Sequence, residues 1–218
     1  MTLPANRNRF DAQEMVNEIL DSAKYRALGI PQATVQDLIE QAAQTTDDAK
    51  EIRKRARQKL HNLVAPYLGD VDYSSATKAL ETAYSSGSDE EKQQVCLSIL
   101  SSHASTRERI PILSEFYAAI FQEIGTPRSI LDTACGLNPF SLSWMHLPGT
   151  VQYHAYDIVK PRVELINLFL GLNGIQPLAE RRDILLQPPT GQADAAFFFK
   201  EAHRFEQRQK GSTRTFLQ

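Results

Sequence analysis

The chain has 218 residues with an apolar share of 42%, enough for one domain with a core and a smaller helical appendage. Its net charge of −2 excludes a whole-molecule basic field, so any contact with nucleic acid has to come from local patches. Two distant cysteines, Cys96 and Cys135, argue against a disulfide framework or a zinc site and suit a reducing cytoplasm, while Met1 to Phe10 lacks the apolar run of a secretory signal and no stretch of about 18 apolar residues predicts a membrane span.

Residues 11–126 read as helical throughout. Val16, Ile19, Leu20, Ala23 and Ala27 keep helical spacing, and Gly29 with Pro31 ends that run. Val35, Leu38, Ile39 and Ala42 form a second stripe. Asp47 or Asp48 caps a third helix that carries Ile52, Ala56, Leu60, Leu63 and Val64 and stops near Pro66. A fourth helix spans 73–84. The loop 85–88 supplies a new N-cap, and Glu90 and Glu91 favour the helix start that follows. A last helix runs from about Arg107 to Ile124, with Pro111 near its first turn and Gly125 and Pro127 breaking it.

From Arg128 the period changes. Residues 129–131 form a short buried strand, and 151–156 alternate into Asp157 as a second. An amphipathic helix covers 161–172 and ends at Asn173 and Gly174. Residues 178–183 make a third strand, and 194–199 a fourth, apolar on both faces. One polar helix covers about 201–217. Strands alternating with helices predict a parallel α/β sheet. The sheet is short of strands, so Phe197 to Phe199 is expected as an exposed apolar edge unless another chain or the N-terminal helices cover it.

The chemistry concentrates between Ser129 and Phe140. An apolar run closes at Asp132, a small-residue turn follows through Ala134, Cys135 and Gly136, and Asn138 stands before Pro139 as an N-cap stands before a first helical residue. The spacing is that of an acidic-x-Gly-x-Gly-x-Gly loop with Ala and Asn in place of the first and third glycines. Small residues let the backbone approach a ligand. The missing glycines weaken a pyrophosphate reading, and no Gly-Lys-Ser/Thr follows, so S-adenosylmethionine is the better fit than a dinucleotide or a nucleoside triphosphate. A plain strand-to-helix turn is the alternative.

Asp157 ends the second strand, where an acid can accept both ribose hydroxyls; a turn or cap role before Pro161 is its plainer alternative. Asp183 ends the third strand, placed to accept from an adenine amine, or else paired with Arg181 or Arg182 on a solvated loop. Upstream, Arg109 could pair the carboxylate of the cofactor's methionine end in fork geometry, or form a salt bridge with Glu108 or Glu115.

Lys50, Arg53, Lys54 and Arg57 fall within about a 100° arc of one helix, a stripe able to track phosphates or simply a solvated face. Lys200, Arg204, Arg208, Lys210 and Arg214 add a second basic surface. The segment after the fourth strand has neither the Pro-Pro-Tyr of amine methylation nor a Pro-Cys nucleophile. Guanine N7 carries a free lone pair and no proton, so its methylation needs alignment and no general base.

The run from His103 to Ile110, the pair Phe116-Tyr117, the segment Ser22 to Arg26 and above all Ser129 to Phe140 resemble the aminoglycoside-resistance 16S rRNA (guanine-N7) methyltransferases, over about Ile19 to Glu206. The resemblance implies an all-helical ribosome-docking domain over 1–104. It implies a class I, Rossmann-like methyltransferase domain over 105–218 whose α/β sheet is incomplete. The activity it implies is methylation of N7 of a decoding-site guanine, of the guanine-1405 type, in the assembled 30S subunit, with S-adenosyl-L-methionine as cofactor and aminoglycoside resistance as the outcome. By position, His103, Arg109, Asp132, Ala134, Gly136, Asn138, Asp157, Asp183 and Ile184 fall in the cofactor site. Lys200 and Glu206 fall near the target base, and Lys50, Arg53, Lys54 and Arg57 face the RNA. No metal and no membrane enter this picture. This chain has Ala202-His203 where the family has Leu-Pro, and family members continue past the position of Gln218. The competing readings are a catalytically silent remnant that binds cofactor or ribosome only, and a methyltransferase of small molecules.

Overall fold

The computed structural model describes residues 11–64 and 71–218. It divides into two compact units that part between Val64 and Ala65. The helix stop expected near Pro66 and the polar segment Met1 to Phe10 lie outside the described residues.

The first unit holds α1 (Ala12–Leu20), α2 (Ala23–Leu28), α3 (Gln32–Ala43) and α4 (Ala49–Val64). Asp11 caps α1 by accepting the Gln13 and Glu14 N–H groups at 2.9 and 3.0 Å. The single first helix expected from the apolar spacing is instead two. Ser22 is extended and its hydroxyl donates to the Ile19 carbonyl at 2.8 Å, a local bond that competes with the helical ladder. Gly29, at φ 55°, closes α2 in the left-handed conformation that glycine adopts without strain. Asp48 accepts the Lys50 N–H at 3.0 Å at the start of α4. Ile19, Leu38, Ile39, Ile52, Ala56 and Leu60 are buried, so the stripes of α3 and α4 face inward, whereas Ala23 and Ala27, counted into the first stripe, are exposed on α2.

The second unit begins with α5 (Tyr73–Ser86), α6 (Asp89–Ser101) and α7 (Ala104–Arg107). Ser88 and Glu91 form a reciprocal capping box at the start of α6. A 3₁₀ turn at Ile110–Ile112 then leads into α8 (Leu113–Ile124). The helix expected over 107–124 is therefore three pieces. Pro111 sits inside the 3₁₀ turn, where its missing N–H interrupts a regular ladder. That interruption leaves Arg109 on an irregular stretch, with α8 beginning four residues on.

The sheet follows as β1 (Ser129–Asp132), β2 (Gln152–Asp157), β3 (Leu178–Arg181) and β4 (Ala195–Phe197). Between them lie a 3₁₀ turn at Asn138–Ser141, α9 (Leu142–Met145) and α10 (Lys160–Leu172), and after them α11 (Ala202–Arg208) and α12 (Ser212–Leu217). All pairings are parallel, in the order β3-β2-β1-β4. Asp132 stands opposite Ala155 on one side and Phe197 on the other, which brings the carboxyl ends of β1, β2 and β4 to one edge.

Alternation sorts the strand residues onto two faces. Ile130, Tyr153, Ala155, Ala195 and Phe197 join the main core with residues of α5, α6, α8 and α10. Leu131, Tyr156 and Phe198 face a smaller cluster with Ile184, Phe205 and Phe216, supplied in part by α11 and α12. This corrects the expectation of exposed phenylalanines at β4. Tyr117 and Phe116 of α8 meet Phe197 and Phe199 on one face, and Phe205 and Phe216 meet Phe198 on the other. The polar helix expected over 201–217 is two helices, broken at Gly211 with φ 84°.

Candidate active site

The turn after β1 is built from both neighbouring strands. The Thr133 N–H donates to the Phe197 carbonyl and the Cys135 N–H to the Tyr156 carbonyl, each at 2.9 Å. Ala134 and Gly136 both take positive φ, 51° and 55°. A non-glycine residue there costs about 1–2 kcal/mol, so the surrounding bonds impose the conformation. A Cβ on Gly136 would meet no atom within 4 Å, which leaves open space beside the backbone at that point.

A cleft at the carboxyl edge is lined by His103, Arg109, Asp132, Ala134 and Gly136, together with Ser105, Cys135, Phe199 and Glu201. The first five are the expected cofactor-site residues that the fold brings together. Sequence reasoning does not single out the other four as ligand residues. Phe199 and Glu201 flank Lys200 after β4, so the carboxyl-edge rule was the available signal for them.

Arg109 dominates the cleft. Its guanidinium lies 5.4 Å from the Phe116 ring centre and 4.8 Å from that of Phe199. One terminal nitrogen donates to Asn138 Oδ1 at 2.9 Å, and its Nε is buried with no hydrogen-bond partner. The alternative salt bridge to Glu108 is not formed by Arg109; Glu108 pairs with Lys200.

Asn138 is not the N-cap that its place before Pro139 suggests. Leu137 holds that position, and the Asn138 side chain caps nothing. Its Nδ2 donates to Asp132 Oδ2 at 2.9 Å, while its Oδ1 accepts from the Tyr117 hydroxyl at 2.8 Å as well as from Arg109. The Tyr153 hydroxyl donates to the same Asp132 oxygen at 2.6 Å. Burial pushes the Asp132 carboxyl up from 3.8 to about 7, against the opposing hydrogen bonds of Tyr153 and Asn138 and the charge of Arg109. Burial also raises the Cys135 thiol well above its ordinary range, which makes it an unreactive wall.

Asp157, Asp183 and Ile184 lie outside that cleft. Asp157 Oδ2 accepts from Arg162 at 2.9 Å and from the Gly136 N–H at 3.2 Å, and its Oδ1 accepts from the Val159 N–H at 2.8 Å. Asp183 is buried and pairs with Arg208 of α11 at 2.7 Å, a partner distant in sequence from the expected Arg181 and Arg182. Ile184 packs with Tyr156 and Phe205. Lys200 takes φ 61°. Glu206 accepts the Gly211 and Thr213 N–H groups at 2.7 and 3.0 Å, tying the turn between α11 and α12.

In the first unit, Lys50, Arg53, Lys54 and Arg57 line one surface groove with Gln58. Glu51 opposes Lys54 at 3.8 Å. Glu18 of α1 pairs with Arg53 at 2.9 Å and with Arg57 at 3.3 Å. Among the described residues no His, Cys, Asp and Glu cluster could hold a metal, and no helix is long and apolar enough to cross a membrane.

The profile of the ribosomal RNA methyltransferase (FmrO) family matches residues 21–218. The 16S rRNA (guanine(1405)-N(7))-methyltransferase of Proteus mirabilis is 30% identical, with 94% of this chain and 76% of the relative aligned. Its counterpart from Micromonospora echinospora is 31% identical over 97% of this chain and 77% of the relative. Among solved structures, the 16S rRNA methylase RmtB superposes with a TM-score of 0.79 at 29% identity, covering 96% of this chain and 80% of that one. An rRNA methylase from Escherichia coli gives 0.75 at 30% identity, covering 95% and 79%.

Proposed function

This chain belongs to the FmrO family of ribosomal RNA methyltransferases, and from that premise we propose that it methylates N7 of guanine 1405 of 16S rRNA with S-adenosyl-L-methionine. The observation that carries the cofactor reading is Arg109. A guanidinium packed against two aromatic rings, with a buried Nε that has no partner, beside a buried carboxylate, is an unfinished ion site. A zwitterionic amino-acid tail completes it, its carboxylate on Arg109 and its ammonium toward Asp132.

The other expected contacts suit the same ligand. Gly136 and Ala134 keep the backbone low beside open space. Asp157 accepts one hydrogen bond at Oδ1 and so keeps a lone pair there for a ribose hydroxyl. Asp183 and Ile184 would bound the adenine. The bound sulfonium supplies an electrophilic methyl group. Guanine N7 has no proton to lose, so the protein's task is to hold both partners in line. Lys200 is the proposed neighbour of the target base, since its left-handed backbone sits between two cleft residues. Glu206 supports that neighbourhood through the α11–α12 turn.

The division of labour we propose keeps the sequence boundary, with docking in the helices of 1–104 and chemistry in 105–218. Lys50, Arg53, Lys54 and Arg57 would track rRNA phosphates in the assembled 30S subunit, in the cytoplasm. The modified guanine would confer aminoglycoside resistance. The test is incubation of the protein with methyl-labelled S-adenosylmethionine and 30S subunits, followed by mapping of the labelled base. Label on N7 of guanine 1405 supports the reading. Label elsewhere on the subunit, or none with cofactor binding intact, overturns it.

A further inference from the structure

The Asn138 carboxamide is fixed in direction by charges of opposite sign at its two ends. Its oxygen faces two donors, Arg109 at 2.9 Å and the Tyr117 hydroxyl at 2.8 Å. Its nitrogen faces the Asp132 carboxylate at 2.9 Å, and that carboxylate oxygen also takes the Tyr153 hydroxyl. A flipped amide would turn its NH₂ toward Arg109 and its oxygen toward Asp132, so both ends would repel. Tyr117 and Tyr153 are wholly buried, and Asn138 and Asp132 nearly so. The cluster draws on α8, β1, β2 and the 3₁₀ turn after β1, which is more scaffolding than a solvated arginine needs.

From this we infer that Tyr117 and Tyr153 are positioning residues for the amino-acid tail of the methyl donor, acting through Asn138 and Asp132 to fix where Arg109 points. Neither hydroxyl needs to touch the ligand. Tyr117 shares the Asn138 oxygen with Arg109 and holds it in place. Tyr153 holds the Asp132 oxygen on which the Asn138 nitrogen rests. Phe116 and Phe199, themselves in edge contact at 5.4 Å, together back the guanidinium from one side, and the Asn138 oxygen holds one of its terminal nitrogens. The inference rests on the proposal that this cleft takes S-adenosylmethionine.

Two probes separate positioning from mere folding. S-adenosyl-L-homocysteine carries the amino-acid tail; 5′-methylthioadenosine has the same nucleoside and thioether without it. Calorimetry of the full chain should show tighter binding of the first. Tyr117→Phe and Tyr153→Phe should each weaken S-adenosyl-L-homocysteine roughly tenfold, the scale of one hydrogen bond in a charged network. Each should leave 5′-methylthioadenosine within about twofold, which also reports that the variant is folded. Equal losses for both ligands, or no loss for either, overturn the inference and leave the cofactor reading standing. Wild-type protein that binds neither ligand overturns both.

Discussion

Arg208 of α11 donates to Asp183 at 2.7 Å, and both side chains are almost fully withdrawn from solvent. The acid proposed for the adenine amine thus already has a cation, delivered by the helix pair that covers the second face of the sheet. Arg208→Ala leaves a buried carboxylate short of its cation and should cost about 3 kcal/mol. Urea unfolding of the two proteins checks this. A change below about 1 kcal/mol would place the pair among ordinary surface bridges.

Arg162 and Asp157 form a second buried pair, at 2.9 Å, with the Arg162 side chain at 0% exposure. Their bond reaches the glycine turn, because the same Asp157 oxygen accepts the Gly136 N–H. Arg162→Met should destabilise by about 3 kcal/mol, and adding Asp157→Asn should restore at least about 1 kcal/mol of that. Additive losses in the double-mutant cycle would show that the two side chains do not act as a unit.

Asp132 makes stability depend on pH. Its folded pKa is raised from 3.8 to about 7, so the folded state holds the proton more tightly than the unfolded state does. The contribution of protonated Asp132 is fully present below pH 3.8 and is lost as pH rises to about 7. Asp132→Asn should therefore flatten the stability profile between those limits relative to wild type. Parallel profiles for the two proteins would remove Asp132 as the source.

The basic face of α4 makes a salt-dependent prediction. Replacing Arg53, Lys54 and Arg57 by Glu should abolish 30S binding while S-adenosyl-L-homocysteine affinity stays unchanged. Glu18→Gln frees Arg53 and Arg57 from their internal partner and should raise 30S affinity about twofold to fivefold, with a steeper salt dependence. Filter binding across a salt series reads both effects. Undiminished binding by the triple variant would locate the RNA contact elsewhere.

The sequence by itself determined the class of fold and the place of the small-residue turn that follows the first strand. Apolar spacing is a local property, so the inward stripes of α3 and α4 and the strand–helix alternation after Arg128 were legible, as was the small-residue turn at Ala134 to Gly136. The family signature between Ser129 and Phe140 was legible for the same reason. Breaks inside long apolar runs were not. Ser22, Pro111 and Gly211 each divide what periodicity joins, because a side-chain bond, a missing N–H or a left-handed backbone acts against a pattern that continues past it.

The tertiary structure alone decided what the polar residues do. Asn138 before Pro139 reads as a cap. In the fold it bridges Asp132 and Arg109, because β1, β2 and α8 bring Tyr153 and Tyr117 to it from distant parts of the chain. Asp183 meets Arg208, and Glu18 meets Arg53 and Arg57, across separations at which sequence carries no pairing signal. A buried polar group must find a partner wherever the chain's topology delivers one, and that choice is settled by packing.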